Sequence, residues 1–144
     1  MKKQSLLGLF CMLLFGCNNS VAPMIGSAPT ALQPCSDKPN CVCSIETRAK
    51  FQVKPISIVL DQANLFEPIL PLLNQLGEFR LERIEGNYLH GTFTSRLFRF
   101  KDDLELLYHP DQKLLHIRSA SRVGYSDLGV NRKRINQFRR LVLP

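Results

Sequence analysis

At 144 residues, with 44% apolar and 22% charged residues, the chain suits one globular domain with a real but modest core. Its formal charge of +7 is concentrated, since seven basic residues between Arg118 and Arg140 face the single acid Asp127, a local excess of +6 that excludes a uniformly basic protein. Such a patch points to an anionic partner (phosphate, carboxylate, lipid headgroup or nucleic-acid backbone) or to a solvated basic helix face.

The first element is a leader. Lys2 and Lys3 precede an apolar run over residues 6–15, broken only by Gly8, which is too short for a permanent membrane span. Leu14-Phe15-Gly16-Cys17 resembles the bacterial lipobox, which implies cleavage before Cys17 and its acylation. Asn18 after that cysteine is similar to outer-membrane sorting in enterobacteria. Several acyl chains would tether the protein durably. Residues 18–34 are rich in Ala, Ser, Gly and Asn, with Pro23, Pro29 and Pro34 interrupting any regular element. The expected organisation is a signal peptide over 1–16, a lipid anchor and tether over 17–34, and one domain over 35–144.

Cys35, Cys41 and Cys43 follow within nine residues. Export favours a disulfide over a metal site, the spacing matches no zinc pattern, and Cys35 with Cys41 would close a small loop around Asp37 and Pro39. Cys41 and Cys43 are poorly placed to join each other, which leaves Cys43 as an odd thiol or an alternative partner for Cys35.

Ile56, Ile58 and Leu60 alternate as a short strand. A helix is expected from Asn64 as N-cap, with Glu67 at the capping-box position and Leu65, Ile69, Leu72, Leu73 and Leu76 on one face. Pro71 should kink it and Gly77 end it. An antiparallel sheet follows. Phe79, Leu81 and Arg83 oppose Arg80, Glu82 and Ile84 on the first of its strands. Leu89, Gly91 and Phe93 share a face of the second, and Leu104, Leu106 and Tyr108 oppose Asp103, Glu105 and Leu107 on the third. After the turn at Pro110, Leu115 and Ile117 face the core of the fourth strand, with His116 and Arg118 facing away. Ile135, Phe138, Leu141 and Val142 form the stripe of a last helix. The expected fold is a two-layer α+β domain, a four-stranded antiparallel sheet with two helices on one face and a more polar opposite face.

Residues 118–134, RSASRVGYSDLGVNRKR, break local rules. Asn131 is the expected N-cap, yet Arg132, Lys133 and Arg134 then fill the first turn, where the helix dipole disfavours cations. Either a bound anion offsets the conflict, or Asp102, Asp103, Glu105 and Asp127 do. Together with PCSDKPNC (34–41) and YLHGTFTSRLFRFKDDLE (88–105), this stretch resembles the bacterial and plastid family known as domain of unknown function 1499, from Pro34 to the C-terminus. The first motif often continues as CVSS in that family, so Cys43 departs from it, and the resemblance implies no reaction.

Two functions follow. In the first, the chain is an envelope lipoprotein on the periplasmic face of the outer membrane. Its site for an anionic small molecule or protein partner is built from Arg118, Arg122, Asn131, Arg132 and Arg134, with Tyr88 and Tyr125 at the rim. In the second, it is a hydrolase or transferase with Asp102 or Asp103 as base and Ser119 or Ser121 as nucleophile. His90, His109 and His116 show neither triad nor metal spacing, no G-x-S-x-G is present, and no metal or cofactor is expected. Export and the lack of a recognition motif argue against nucleic acid.

Overall fold

The computed structural model describes residues 29–143, so the leader, Cys17 and most of the tether lie outside the described residues. Among these, the chain forms β1 (Cys41–Cys43), β2 (Ile56–Ser57), α1 (Leu70–Gln75), β3 (Glu78–Glu85), β4 (Tyr88–Thr94), β5 (Lys101–His109), β6 (Leu114–Ser121) and α2 (Val130–Val142). The fold is α+β with one antiparallel sheet, but of six strands rather than four. Their order is β1-β6-β5-β4-β3, and β2 also pairs with β6.

The two additional strands are three and two residues long, too short to register as alternation. Both lie along β6, β1 against residues 118–120 and β2 against residues 114 and 115. Ser44 fills the gap between them: its amide donates to the Ile117 carbonyl at 2.8 Å, and its hydroxyl accepts the Ile117 amide at 2.9 Å. The otherwise bare edge of a long strand is thereby covered and satisfied.

One face of the sheet presents Leu89, Phe93, Leu104, Leu106, Tyr108, Leu115 and Ile117 to Ile69 and Leu73 around α1 and to Ile135 and Phe138 of α2. Burying a side chain such as Leu106, Ile117 or Phe138 contributes about 1.5–3 kcal/mol. A second, smaller cluster of Leu32, Cys35, Cys41, Cys43, Phe51, Tyr88, Leu107 and Ala120 lies on the opposite face.

Two elements depart from expectation. The helix expected from Asn64 is instead a 3-10 turn over Gln62–Asn64 capped by Asp61, whose Oδ1 accepts the Ala63 amide at 3.0 Å, followed by a six-residue α1. Pro68 and Pro71 have no amide hydrogen, so regular helix begins only where Pro71 falls in a first turn, whose amides need no partner. In β3 a bulge between Leu81 and Arg83 reverses the alternation. Phe79, Leu81 and Ile84 therefore face the helices, and Arg80, Arg83 and Glu85 the other side, rather than Arg83 sharing a face with Leu81.

Gly91 on β4 is required by its neighbour on β3. The Phe79 ring, 5.0 Å from the Phe93 ring, lies across Gly91, and an added Cβ would overlap Phe79 Cζ and Cε2 and stand 2.8 Å from the Arg80 carbonyl. Gly91→Ala should therefore cost about 1–3 kcal/mol in urea unfolding, the range for overpacking, and Phe79→Leu in the same chain should recover part of the loss. A neutral Gly91→Ala would contradict this packing.

Candidate functional site

The 118–134 stretch is built around one side chain. At the end of β6, Ser119 and Ser121 face the helices. Ser119 Oγ donates to Asn131 Oδ1 at 2.5 Å, and Asn131 Nδ2 donates to Ser121 Oγ at 3.0 Å and to the Asn40 carbonyl at 3.2 Å. Arg134 Nη1 completes the set, 2.8 Å from Asn131 Oδ1. Asn131, with 0% exposure, thus uses both donors and accepts twice at its oxygen. It ties α2 at once to β6 and to the loop between the cysteines.

The same network answers the charge conflict at the start of α2. The helix is capped by Gly129 with φ 80°, not by Asn131, which lies inside the first turn. Asp127 supplies the missing acceptors, its carboxylate taking the Gly129 amide at 2.9 Å and the Asn131 amide at 2.8 Å. Arg134 turns back to Asp102 at 2.9 Å and lies 4.4 Å over the Phe93 ring. Arg132 reaches the carbonyls of Gln52 and Lys50 at 2.7 and 2.6 Å.

Arg118 and Arg122 point the other way, because alternate residues of a strand face opposite sides. Across the polar face of the sheet, one row of paired positions runs Arg83, His90, Glu105, Arg118, Cys43. Glu105 accepts from Tyr88 Oη at 2.8 Å and from Arg118 Nη1 at 2.6 Å. Arg83 lies 5.1 Å over the Tyr88 ring and pairs with Glu85 at 3.2 Å. Beside this row Asp103 receives a fork from Arg122, at 2.9 and 2.8 Å, and His90 Nε2 at 2.8 Å. Thr92 donates to Glu82 at 3.0 Å.

Burial pushes the Tyr88 hydroxyl well above its ordinary range, and the Glu105 charge adds to it. Burial also works to raise the Asp103 carboxyl, but the bonds from His90 and Arg122 and the Arg122 charge outweigh it and hold the group below its usual range. Among the described residues two donors are left over: Arg83 Nε and Arg118 Nε are buried without a hydrogen-bond partner. A buried donor without a partner costs about 1–3 kcal/mol, so both favour an arriving acceptor. A cavity of about 330 Å³ opens beside Tyr88 at one end of this face, lined also by Pro29, Glu85, Asn87 and His109.

The arginines of the stretch therefore do not meet in one concavity. Arg118 and Arg122 share the polar face, Arg134 lies among the helix-side contacts, Arg132 clamps backbone, and Tyr125 projects outward at 74% exposure. Asp102 is on the helix side and Asp103 on the polar side. Ser121 does donate to Asp102 at 2.5 Å, but the acid is held by Arg134, Ser119 has no exposure, and both hydroxyls are already engaged in the Asn131 network. Among the described residues no group of three His, Cys, Asp or Glu side chains is placed to hold a metal ion.

Three participants carry no signal along the chain. The bulge moves Arg83 to the face opposite the one its alternation predicts, and His90, with neither triad nor metal spacing, meets its partner Asp103 one strand away. Glu46 belongs to no motif. It organises the cysteine loop, accepting the amides of Cys35, Thr47 and Arg48 at 3.2, 3.1 and 3.3 Å and the Arg48 guanidinium at 2.9 and 2.6 Å. The expected Cys35–Cys41 disulfide is present, with Cα atoms 5.7 Å apart, and Cys43 is a free, buried thiol whose pKa burial pushes up.

The model of a family described as "Protein of unknown function (DUF1499)" matches residues 31–142. No curated protein and no solved structure matches the chain.

The carboxylates give the domain a definite acid response. The Arg48 hydrogen bond, opposed by desolvation and aided by the backbone amides, holds Glu46 at about 2 against an ordinary 4.5, and Asp103 is lowered as well. A carboxyl depressed in the folded state stabilises it above the unfolded pKa and loses that contribution as pH falls through the folded one. Urea midpoints should hold above pH 4.5 and decline towards about pH 2, and Glu46→Gln should lower the neutral-pH midpoint and flatten that decline. Parallel curves for the two proteins would contradict the role of Glu46.

Proposed function

Since the chain belongs to the DUF1499 family of proteins of unknown function, we propose a role from its own geometry: a lipid-anchored binding module of the bacterial cell envelope. Its site is the polar face of the sheet, and its ligand a small molecule presenting a carboxylate or phosphate group. The observation that carries this reading is the pair of partnerless, buried guanidinium donors of Arg83 and Arg118, which flank Tyr88 and Glu105. An oxyacid oxygen would satisfy either donor once its guanidinium, on a side chain 21% exposed in each case, turns outward, and a planar guanidinium is suited to both oxyacid groups.

The charge balance narrows the class. On this face Arg80, Arg83, Arg118 and Arg122 meet Glu82, Glu85, Asp103 and Glu105, so the charges of the face balance locally. A polyanion such as nucleic acid would gain little there, whereas a single oxyacid group needs only one guanidinium fork. Asn131, Arg132 and Arg134 belong to the frame that holds β6 and α2 in place. Hydrolysis or group transfer by Ser119 or Ser121 with Asp102 would require a substrate to breach the Asn131 network, and Asp103 lies on the other face of the sheet from both serines.

The anchor rests on Lys2, Lys3, the apolar run 6–15 and Cys17, and it would leave the tether 17–34 and the domain 35–144 on the periplasmic side of the outer membrane. Mass spectrometry of cell-derived protein should find acyl mass on a mature N-terminus at Cys17 and none in Cys17→Ala; identical, unacylated termini would refute it.

For the site, thermal unfolding of the full chain should be followed with inorganic phosphate, small carboxylates and uncharged sugars. A ligand at a hundred times its dissociation constant stabilises the folded state by about 2.7 kcal/mol. One oxyacid class should raise the transition, Arg118→Gln and Arg83→Gln should abolish the shift, and Arg132→Gln should retain it. A shift lost only in Arg132→Gln, or none with any oxyacid, would reject the site.

A further inference from the structure

At one end of the sheet the surface is apolar where folding does not ask for it. Twelve large apolar side chains are exposed among the described residues, and seven of them gather at two neighbouring loops: Leu97, Phe98 and Phe100 between β4 and β5, Val123, Tyr125 and Leu128 between β6 and α2, and Val130 at the start of α2. The loops are adjacent because Asp102 pairs with Ser121 and the Arg122 amide donates to the Lys101 carbonyl at 3.0 Å. Contiguous exposed apolar surface of this kind marks an interaction site more often than chance.

The tip between β4 and β5 is ordered as well as apolar. The Ser95 amide donates to the Phe100 carbonyl at 2.9 Å, the Arg99 amide to the Ser95 carbonyl at 3.2 Å, and the Phe100 amide to Ser95 Oγ at 2.9 Å. Arg99 takes a left-handed φ of 55° and pairs with Glu78, while the Phe98 and Phe100 rings stack at 5.5 Å. In the second loop Leu128 adopts φ 52°, a conformation disfavoured for leucine, while 93% exposed. Neither backbone conformation buries the side chains it displays.

The charge around the apolar groups selects the occupant. Residues 95–101 and 122–130 contain Arg96, Arg99, Lys101 and Arg122 against the single acid Asp127. Arg99 and Arg122 are paired internally, so Arg96 and Lys101 are the exposed cations beside the aromatic tip. Two copies of this chain meeting tip to tip would oppose like charges. An anionic bilayer surface offers instead an apolar interior for Leu97, Phe98 and Phe100 and headgroups for the cations.

We propose that this end of the domain, the tip 95–101 with the loop 122–130 beside it, is a docking surface for an anionic lipid bilayer. Phe98 and Phe100 enter the headgroup boundary and Arg96 and Lys101 engage lipid phosphates. The contact does not depend on acylation of Cys17, and it leaves the polar row of Arg83, Glu105 and Arg118 clear of the bilayer at the middle of the sheet.

The chain contains no tryptophan, so a single one reports its own surroundings. Phe98→Trp places it at the tip, and Val59→Trp, at a 74% exposed position by the opposite end of β6, serves as control. Each full chain is reconstituted into vesicles of phosphatidylcholine with about 30% phosphatidylglycerol and brominated acyl chains. The Phe98→Trp emission should shift to the blue and be quenched, the Val59→Trp emission should not, and Arg96→Gln in the Phe98→Trp chain should weaken the quenching about fivefold, the worth of one surface cation near anionic lipid. Absent quenching at both positions, or equal quenching at both, would overturn the proposal. A blue shift of Phe98→Trp that grows with protein concentration without lipid would overturn it in favour of self-association.

Discussion

Asn131 is the constraint on which the rest of the domain depends. A helix that begins with Arg132, Lys133 and Arg134 opposes its own dipole, and it must still be held against the sheet through a junction lined by Ser119, Ser121 and Asp102. One asparagine is where both are met, its backbone amide held by Asp127 and its side chain by the junction. It accepts from Ser119 and Arg134, donates to Ser121 and to the backbone of the disulfide loop, and lets Asp127 cap the helix from one side while Asp102 receives Arg134 on the other. A buried polar group is cheap only when all of it is satisfied, which is the condition met here.

With that junction closed, the alternation of β6 divides one segment between two tasks. Ser119 and Ser121 join the helix-side frame, and Arg118 and Arg122, one step along the chain, join the polar face where Glu105 and Asp103 receive them. The frame is saturated with internal bonds. The polar face is not, since Arg83 and Arg118 each keep a buried donor unused, and that difference separates structural from binding residues within a single run of charge.

Much of this was legible beforehand. The alternation of β4, β5 and the core half of β6, the stripe of Ile135 and Phe138, and the closure of Cys35 with Cys41 all follow from periodicity, composition and spacing. Other features carry no one-dimensional signal. β1 and β2 are shorter than a period that could be recognised, and the β3 bulge shifts the pleat by one residue without a proline or glycine to mark it. Asn131 resembled an N-cap because asparagine favours that position, yet the cap lies at Gly129 and the asparagine works by burial. Counting charge along 118–140 suggested one basic patch, because a count ignores direction: partners came from strands distant in sequence, and the arginines went to opposite faces.

The most direct measurement is urea unfolding of Asn131→Ala. The truncation leaves the buried Ser119 hydroxyl without a partner and takes one of two partners from Ser121 Oγ and from the Asn40 carbonyl, and the predicted result is a loss of about 1–3 kcal/mol at neutral pH, the cost of a buried group left without a partner. A midpoint within about 0.5 kcal/mol of the parent, the range of ordinary surface changes, would contradict Asn131 as the joint of the fold.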